Sequence, residues 1–328
     1  MAHKKITMDN LEKEKHSIID YAEIIKKFPW IVERDKKCII SPDTDGILCG
    51  LFMSAFFNWE IVGYYDGKDL ALKKKLKPSD CVFLDMEIFR KNCKSIGQHM
   101  LLYNKNSVPT NWDNFSNSIN PNNIRGYDAN KNFALKYPLA TIHLLMCIAR
   151  TTVEFSVPKS AVTVLLYVDG TFKNLLNYPE NCISWLHFLN AKNENSPIAP
   201  LLNIFAAQKI STMMHDLEKI FEEFRLIAGG KRGGDKIKIT EIQNNSFSDD
   251  LRSRSLTLTK FLSDMTGWSF VNEKWIMDDL EVTNLKKDII PVGKLNGTTY
   301  AAILRKNPIS FAITGTKQIE YTKSNNLF

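Results

Sequence analysis

Between residues 38 and 85 short apolar runs alternate with helical patterns, and that alternation limits the chain to a small set of architectures. Cys38-Ile39-Ile40 reads as a strand, and Ile47, Leu48, Leu51, Phe52 and Ala55 recur at the spacing that keeps one side of a helix inward. Glu60 to Tyr65 is again strand-like and ends at Asp66-Gly67. A short basic helix is expected before Pro78-Ser79-Asp80, and then another strand, Cys81 to Leu84, closing on Asp85. Such an order predicts an α/β fold, a mostly parallel sheet with helices on both faces. Ligands of these sheets gather outside the carboxyl ends of the strands. Asp43, Asp45 and Asp85 all fall at that end.

The rest of the chain extends the pattern. Residues 9 to 28 read as an amphipathic helix stopped by Pro29, and Pro138 to Ile148 as a strongly apolar helix. Ala161 to Val168 reads as a buried strand ending in Asp169-Gly170-Thr171, which places a fourth acid at a strand end; Pro179 to Leu189 reads as a helix. Asn193-Glu194-Asn195-Ser196-Pro197 has the composition of a surface connection. It divides the chain into an α/β domain with an N-terminal helix, residues 1–195, and a smaller C-terminal α+β domain for substrate binding or interaction, residues 196–328. Within the latter, Ser211 to Ile227 is an amphipathic helix ended by Gly229-Gly230-Lys231-Arg232-Gly233-Gly234. That basic loop lacks the Lys-Ser/Thr ending of a P-loop and reads as a connector. Leu295 to Ile303 and Ile309 to Ile313 are expected to form a hairpin.

The 328 residues carry a net charge of +7, which favours an anionic partner, nucleic acid or a nucleotide, without demonstrating one. Basic clusters at Lys73-Lys74-Lys75, Lys231-Arg232 and Lys286-Lys287 offer phosphate contacts or simply solvated faces. The 6 cysteines form no Cys-x-x-Cys pair and no zinc-finger spacing, so buried free thiols in a reducing cytosol are expected. With no apolar leader and no run long enough to span a bilayer, the expectation is a soluble, cytoplasmic protein without membrane contact.

The chemistry concentrates in Ser41-Pro42-Asp43-Thr44-Asp45-Gly46. Carboxylates that close repel each other unless a cation sits between them, which makes the turn a metal or phosphate site. Equally, it is an Asx-rich turn in which Asp43 or Asp45 caps the helix that follows. Asp85 is either a ligand or a strand-end acid satisfied by loop N–H groups, and Asp169 either a ligand or part of an ordinary turn at Asp169-Gly170. His99 stands before an apolar run and is either a ligand or a backbone-bonded core histidine, whereas His143, inside the apolar helix, is expected to be packed. No Gly-x-Ser-x-Gly elbow occurs and neither Cys49 nor Cys93 has a base nearby in sequence, which argues against nucleophilic catalysis.

In their order, these motifs resemble the DHH phosphoesterase superfamily, which includes single-strand exonucleases, small-oligonucleotide and cyclic-dinucleotide phosphodiesterases and inorganic pyrophosphatases. The family's first motif, His-x-Asp-x-Asp-Gly, is matched by Ser41 to Gly46. The strand-end Asp of the second is matched by Asp85 in Val82-Phe83-Leu84-Asp85-Met86-Glu87, and the Asp-His-His of the third by Gly97-Gln98-His99. Asn120-Pro121 and the helix from Ala140 to Ile148 look like the element that follows it. Val168-Asp169-Gly170-Thr171 matches the fourth. The resemblance covers residues 36 to 175. It implies a Mn²⁺ or similar first-row metal site in which Asp85 bridges two ions, Asp43 serves one, and Asp45 and Asp169 the other. His99 would complete a ligand set or polarise the phosphate, so Asp85 and His99 are the expected catalytic residues. The implied activity is metal-dependent cleavage of single-stranded nucleic acid, short oligonucleotides or a cyclic dinucleotide. Ser41 and Gly97-Gln98 depart from the family pattern and remove two imidazoles and one carboxylate. The alternative they imply is a catalytically reduced binding subunit, its metal lost, within a larger assembly or homo-oligomer.

Overall fold

The computed structural model describes residues 17–291, 294, 296–314, 318–323 and 328. Its strands are β1 (Lys37–Ile40), β2 (Glu60–Tyr65), β3 (Asp69–Lys73), β4 (Val82–Leu84), β5 (Lys94–Ile96), β6 (Ser118–Ile119), β7 (Ile242–Gln243), β8 (Ser246–Phe247), β9 (Leu280–Asn284), β10 (Lys287–Pro291), β11 (Phe311–Thr314) and β12 (Gln318–Thr322). Seven of them form one sheet in the order β6-β5-β4-β1-β2-β3-β9. The pairings from β6 to β2 are parallel, and those of β3 with β2 and with β9 antiparallel. Smaller antiparallel units, β10-β12-β11 and β7-β8, lie in the C-terminal part. The expected class, α/β with a mostly parallel sheet and a smaller α+β portion toward the C-terminus, is the one the chain adopts.

The longer helices are α1 (Tyr21–Lys27), α2 (Thr44–Phe57), α3 (Thr141–Ala149), α4 (Lys159–Tyr167), α5 (Thr171–Asn177), α6 (Pro179–Phe188), α7 (Ile210–Ile227), α8 (Asp249–Thr266) and α9 (Gly297–Arg305). α2 runs over the sheet and packs against α3 and α8, so almost its whole circumference is enclosed. Residues of alternate parity along each strand point to opposite faces, except that a register shift between β1 and β2 interrupts the alternation of β2 after Ile61. Cys38, Ile40, Ile61, Tyr64, Val82 and Leu84 therefore join the helices in the larger core. Ile39, Val62, Tyr65 and Phe83 face the other way and meet Leu285, Ile309 and Phe328 in a smaller one. Each such fully buried side chain contributes roughly 1.5–3 kcal/mol of transfer free energy, which is what fixes the register.

That register sets up the site. Ile40 lies opposite Leu84 in the parallel pair β1–β4, and the Ser41 N–H donates to the Leu84 carbonyl at 3.1 Å. The two strands thus release their chains side by side, one into the turn of residues 41–45 and the other into Asp85. Gly46 is required because α2 starts hard against β1: a Cβ there would lie 2.1 Å from the Ser41 carbonyl oxygen.

Four expectations are corrected. Ala161 to Val168 is not a strand but helix α4 and the turn after it. Residues 161–166 are buried on every side, and a run buried all round carries no periodicity to separate strand from helix. The basic helix expected after Gly67 is strand β3, whose burial comes from pairing on both edges, with β2 and β9. Residues 17–20 lie outside α1, which starts at Tyr21 because Asp20 accepts the Glu23 N–H at 3.1 Å; the expected stretch 9–16 lies outside the described residues. Finally, the first arm of the C-terminal hairpin is helix α9, while Leu295 lies outside the described residues. Asn296 caps α9 through the Thr299 N–H at 2.9 Å, and β11 pairs with β12 instead.

No helix among the described residues is long and apolar enough to cross a membrane. All six cysteines are buried free thiols, and Trp59, Trp268 and Trp275 are core residues.

Candidate functional site

The turn that closes β1 does what a capping turn does. Asp43 has extended backbone at the N-cap of α2, and its carboxylate accepts the Gly46 N–H at 3.1 Å. Asp45, in the first turn of that helix, reaches out of it. Its two oxygens accept the Thr141 N–H at 2.7 Å and the Ile142 N–H at 3.0 Å, so it caps α3 from a distant part of the chain. α3 needs this help, because its own N-cap residue is Ala140. Asp85 follows β4 in left-handed backbone, φ 64°, a conformation that Asp tolerates better than most residues. Its Oδ1 accepts the Thr141 hydroxyl at 2.7 Å, while its Oδ2, also buried, finds no donor among the described residues.

The four acids lie near enough to act on one another's charge. Burial and the neighbouring Asp43 push the Asp45 carboxyl up to about 6, although the two backbone N–H groups pull against the rise. Asp85 is held well above the usual carboxylate range by burial first, then by Asp45, Asp43 and Asp169. Asp45 and Asp85 come within hydrogen-bonding reach of each other. Two ionised carboxylates offer no donor, so the contact needs a proton or a cation. Asp169 is pushed upward by crowding and by Asp45 and Asp43, with His99 opposing; its side chain stays exposed, so solvent tempers that rise.

Asp169 reaches the cluster from the turn after α4, with φ 51°, and its carboxylate accepts the Gln98 amide. His99 is about a quarter exposed, at 27 %, and its Nδ1 lies 3.8 Å from the Glu87 carboxylate, a distance for charge pairing rather than a hydrogen bond. Burial works against the imidazolium, but Glu87, Asp169 and Asp43 together outweigh it and push His99 up to about 9. Glu87 is not spare for any ligand: it accepts the His99 N–H at 3.3 Å, the Met100 N–H at 3.1 Å and the Asn120 amide. Its carboxylate also fills the space beside Gly97, where a Cβ would lie 2.6 Å from Glu87 Oε2. His143 is the packed residue expected, accepting the Ala140 N–H at Nδ1 and bonding the Leu165 carbonyl through Nε2.

Ser41, Asp43 and His99 line a cleft of about 480 Å³ together with Lys236, Lys238 and Lys287, the last two paired with Glu241 and Glu320. Asp45 and Asp85 lie behind it, buried. Sequence reasoning singles out Lys286-Lys287 but finds neither Thr141, which ties both buried acids to α3, nor Lys236 and Lys238 at the cleft. Neither has a signal in sequence, because each partner comes from more than fifty residues away.

Hard carboxylate oxygens suit a divalent first-row cation, and the buried Asp85 Oδ2, which finds no donor among the described residues, is of the type that could ligate one. As placed, however, no three His, Cys, Asp or Glu side chains among the described residues form a group that could hold one. The reason is visible in the bonds: Asp45 is spent on backbone N–H groups and Asp169 on Gln98. No protein-family model matches the chain, and neither a curated protein nor a solved structure matches it.

Proposed function

We propose that the chain is a divalent-cation-dependent phosphodiesterase or nuclease acting on single-stranded nucleic acid, short oligonucleotides or a cyclic dinucleotide. The observation that carries this reading is the buried pair of Asp45 and Asp85, two acids that need a proton or a cation between them, with Asp85 Oδ2 left without a donor among the described residues. Asp85 and Asp43 would hold the ion, Mn²⁺ or a similar metal, with Asp45 and Asp169 completing the set after local rearrangement. Such an ion, when bound, lowers the pKa of water and neutralises phosphoester oxygens. The chain's own residues would bring the rest: His99, held charged by Glu87, lines the cleft and would bond a non-bridging phosphate oxygen, and Lys236, which pairs with no carboxylate among the described residues, would add positive charge. The test is turnover of a panel of these substrates with Mn²⁺ by wild type and Asp85→Ala; equal absence of turnover in both defeats the proposal.

A second reading, a catalytically reduced nucleic-acid or nucleotide binding subunit, is favoured by one specific contact. The Gln98 amide donates to Asp169, a neutral donor doing part of what a cation would do. Calorimetry with Mn²⁺ separates the two readings: stoichiometric tight binding favours the enzyme, and none favours the binding subunit.

A further inference from the structure

The basic glycine loop is no slack connector. At its start the Gly229 N–H bonds the Leu226 carbonyl at 2.9 Å and the Gly230 N–H the Arg225 carbonyl at 2.8 Å, which closes the end of α7. Gly230 and Gly233 have φ of 84° and 97°, open only to glycine at low cost. Gly234 is clamped onto that helix end, where a Cβ would lie 1.8 Å from the Phe224 carbonyl oxygen. Its far end is fastened to the acidic turn itself. The Ile237 N–H donates to the Pro42 carbonyl at 2.7 Å, the Thr44 hydroxyl to the Asp235 carbonyl at 2.7 Å and the Tyr167 hydroxyl to the Asp235 carboxylate at 3.0 Å. Lys236 bridges to Asp43 through the backbone.

Lys231, Arg232 and Lys236 are exposed, and among the described residues none of them pairs with a carboxylate, whereas Lys238 lies 3.2 Å from Glu241. Lys236 lines the cleft, while Lys231 and Arg232 do not. A cleft of about 480 Å³ takes a nucleotide-sized ligand. Cations fixed beyond its lining have no use for a ligand held wholly inside. Resting on the phosphodiester reading above, we infer that the loop is a backbone track for a linear single strand, whose phosphates run from the cleft past Lys236 to Lys231 and Arg232. The substrate class is then an oligonucleotide longer than a dinucleotide, and cyclic dinucleotides are disfavoured.

The test is binding of a labelled twenty-nucleotide oligothymidylate and of a dinucleotide, in chelator, as salt is varied. Wild type is expected to bind the long strand far more tightly. Lys231→Gln/Arg232→Gln should bind it about tenfold more weakly at 0.1 M salt, with a log–log salt slope shallower by about 1.4, at ~0.7 per lost phosphate contact. The charge-keeping variant Lys231→Arg/Arg232→Lys should retain both, which controls for folding. Equal slopes for the Gln variant and wild type overturn the inference. So does equal affinity for strand and dinucleotide, and so does binding of polyglutamate as tight as that of the strand. Wild-type turnover of the twenty-nucleotide strand with Mn²⁺ is measured alongside: its absence counts against the hydrolytic reading alone, since the strand track is judged on metal-free binding.

Discussion

The Asp45 carboxylate and the Thr141 backbone N–H, 96 residues apart in sequence, meet at 2.7 Å. This bond, with the one from Ile142, makes an acid of the candidate site also the cap of a core helix. Truncation therefore has a structural cost that no loss of chemistry explains. Asp45→Ala should destabilise the cation-free protein by about 2–3 kcal/mol, from a lost cap and buried N–H groups left unpaired. Asp45→Asn, which keeps an acceptor, should cost less than half of that. Urea denaturation of the two variants decides it, and an Ala variant as stable as wild type would remove the capping role.

Asp85 should behave in the opposite way. Its folded-state carboxyl titrates above its unfolded value, so the folded protein holds a proton that the unfolded chain has released. Its contribution to the stability of the cation-free protein is thus present at low pH and declines as pH rises from the ordinary carboxylate range toward the raised folded value. Asp85→Asn keeps the left-handed backbone comfortable and removes the buried charge. It is expected to stabilise the cation-free protein at pH 7 and to flatten this decline. Mn²⁺ should raise the melting temperature of wild type and not of the variant, by mass action on a folded-state site. Thermal melts with and without Mn²⁺ provide the check; a variant less stable than wild type without metal would contradict the idea of a frustrated acid pair.

How much of this was legible in the sequence depends on distance along the chain. Asp43, Asp45 and Asp85 were placed at strand ends because each directly follows or flanks an apolar run, and β1 and β4 lie side by side. Asp169 was placed at a strand end that does not exist, yet it still reaches the cluster, by way of the helix-terminal turn at φ 51°. Pro158 before α4 and Gly170, φ 64°, behind it are the brackets of a helix, and they outweigh a β-branched interior. What no local pattern carried was partnership: nothing near Asp45 announces Thr141, and nothing near Asp43 announces Lys236. The glycine loop was visible as composition, but its attachment to the acidic turn is a tertiary fact.

Gly97 and Glu87 illustrate a constraint of volume. A methyl group at Gly97 would press on the Glu87 carboxylate, which is buried and already bonded on three sides. Gly97→Ala is expected to cost about 1–3 kcal/mol by overpacking. In a Glu87→Ala background the same change should be nearly neutral, giving a coupling energy of at least ~1 kcal/mol in a double-mutant cycle. Additive costs would mean that the two positions do not compete for the same space.

His143 makes the last case, separate from the acids. It is fully buried between the Ala140 N–H and the Leu165 carbonyl, and burial lowers it from the usual imidazole range to about 4, with the bond to the Leu165 carbonyl opposing. The folded state therefore binds fewer protons than the unfolded chain between pH 4 and 6.5. Stability from this group is complete above the unfolded value and is lost as pH falls through the folded one, which is the reverse of the Asp85 contribution. The full effect is on the order of 3 kcal/mol, at ~1.4 kcal/mol for each pH unit that separates the folded and unfolded values. Chemical denaturation of wild type and His143→Gln from pH 4 to 7 isolates it as a difference. The wild-type advantage should shrink steadily on acidification, and a difference that stays constant with pH would show that the imidazole does not remain neutral in the fold.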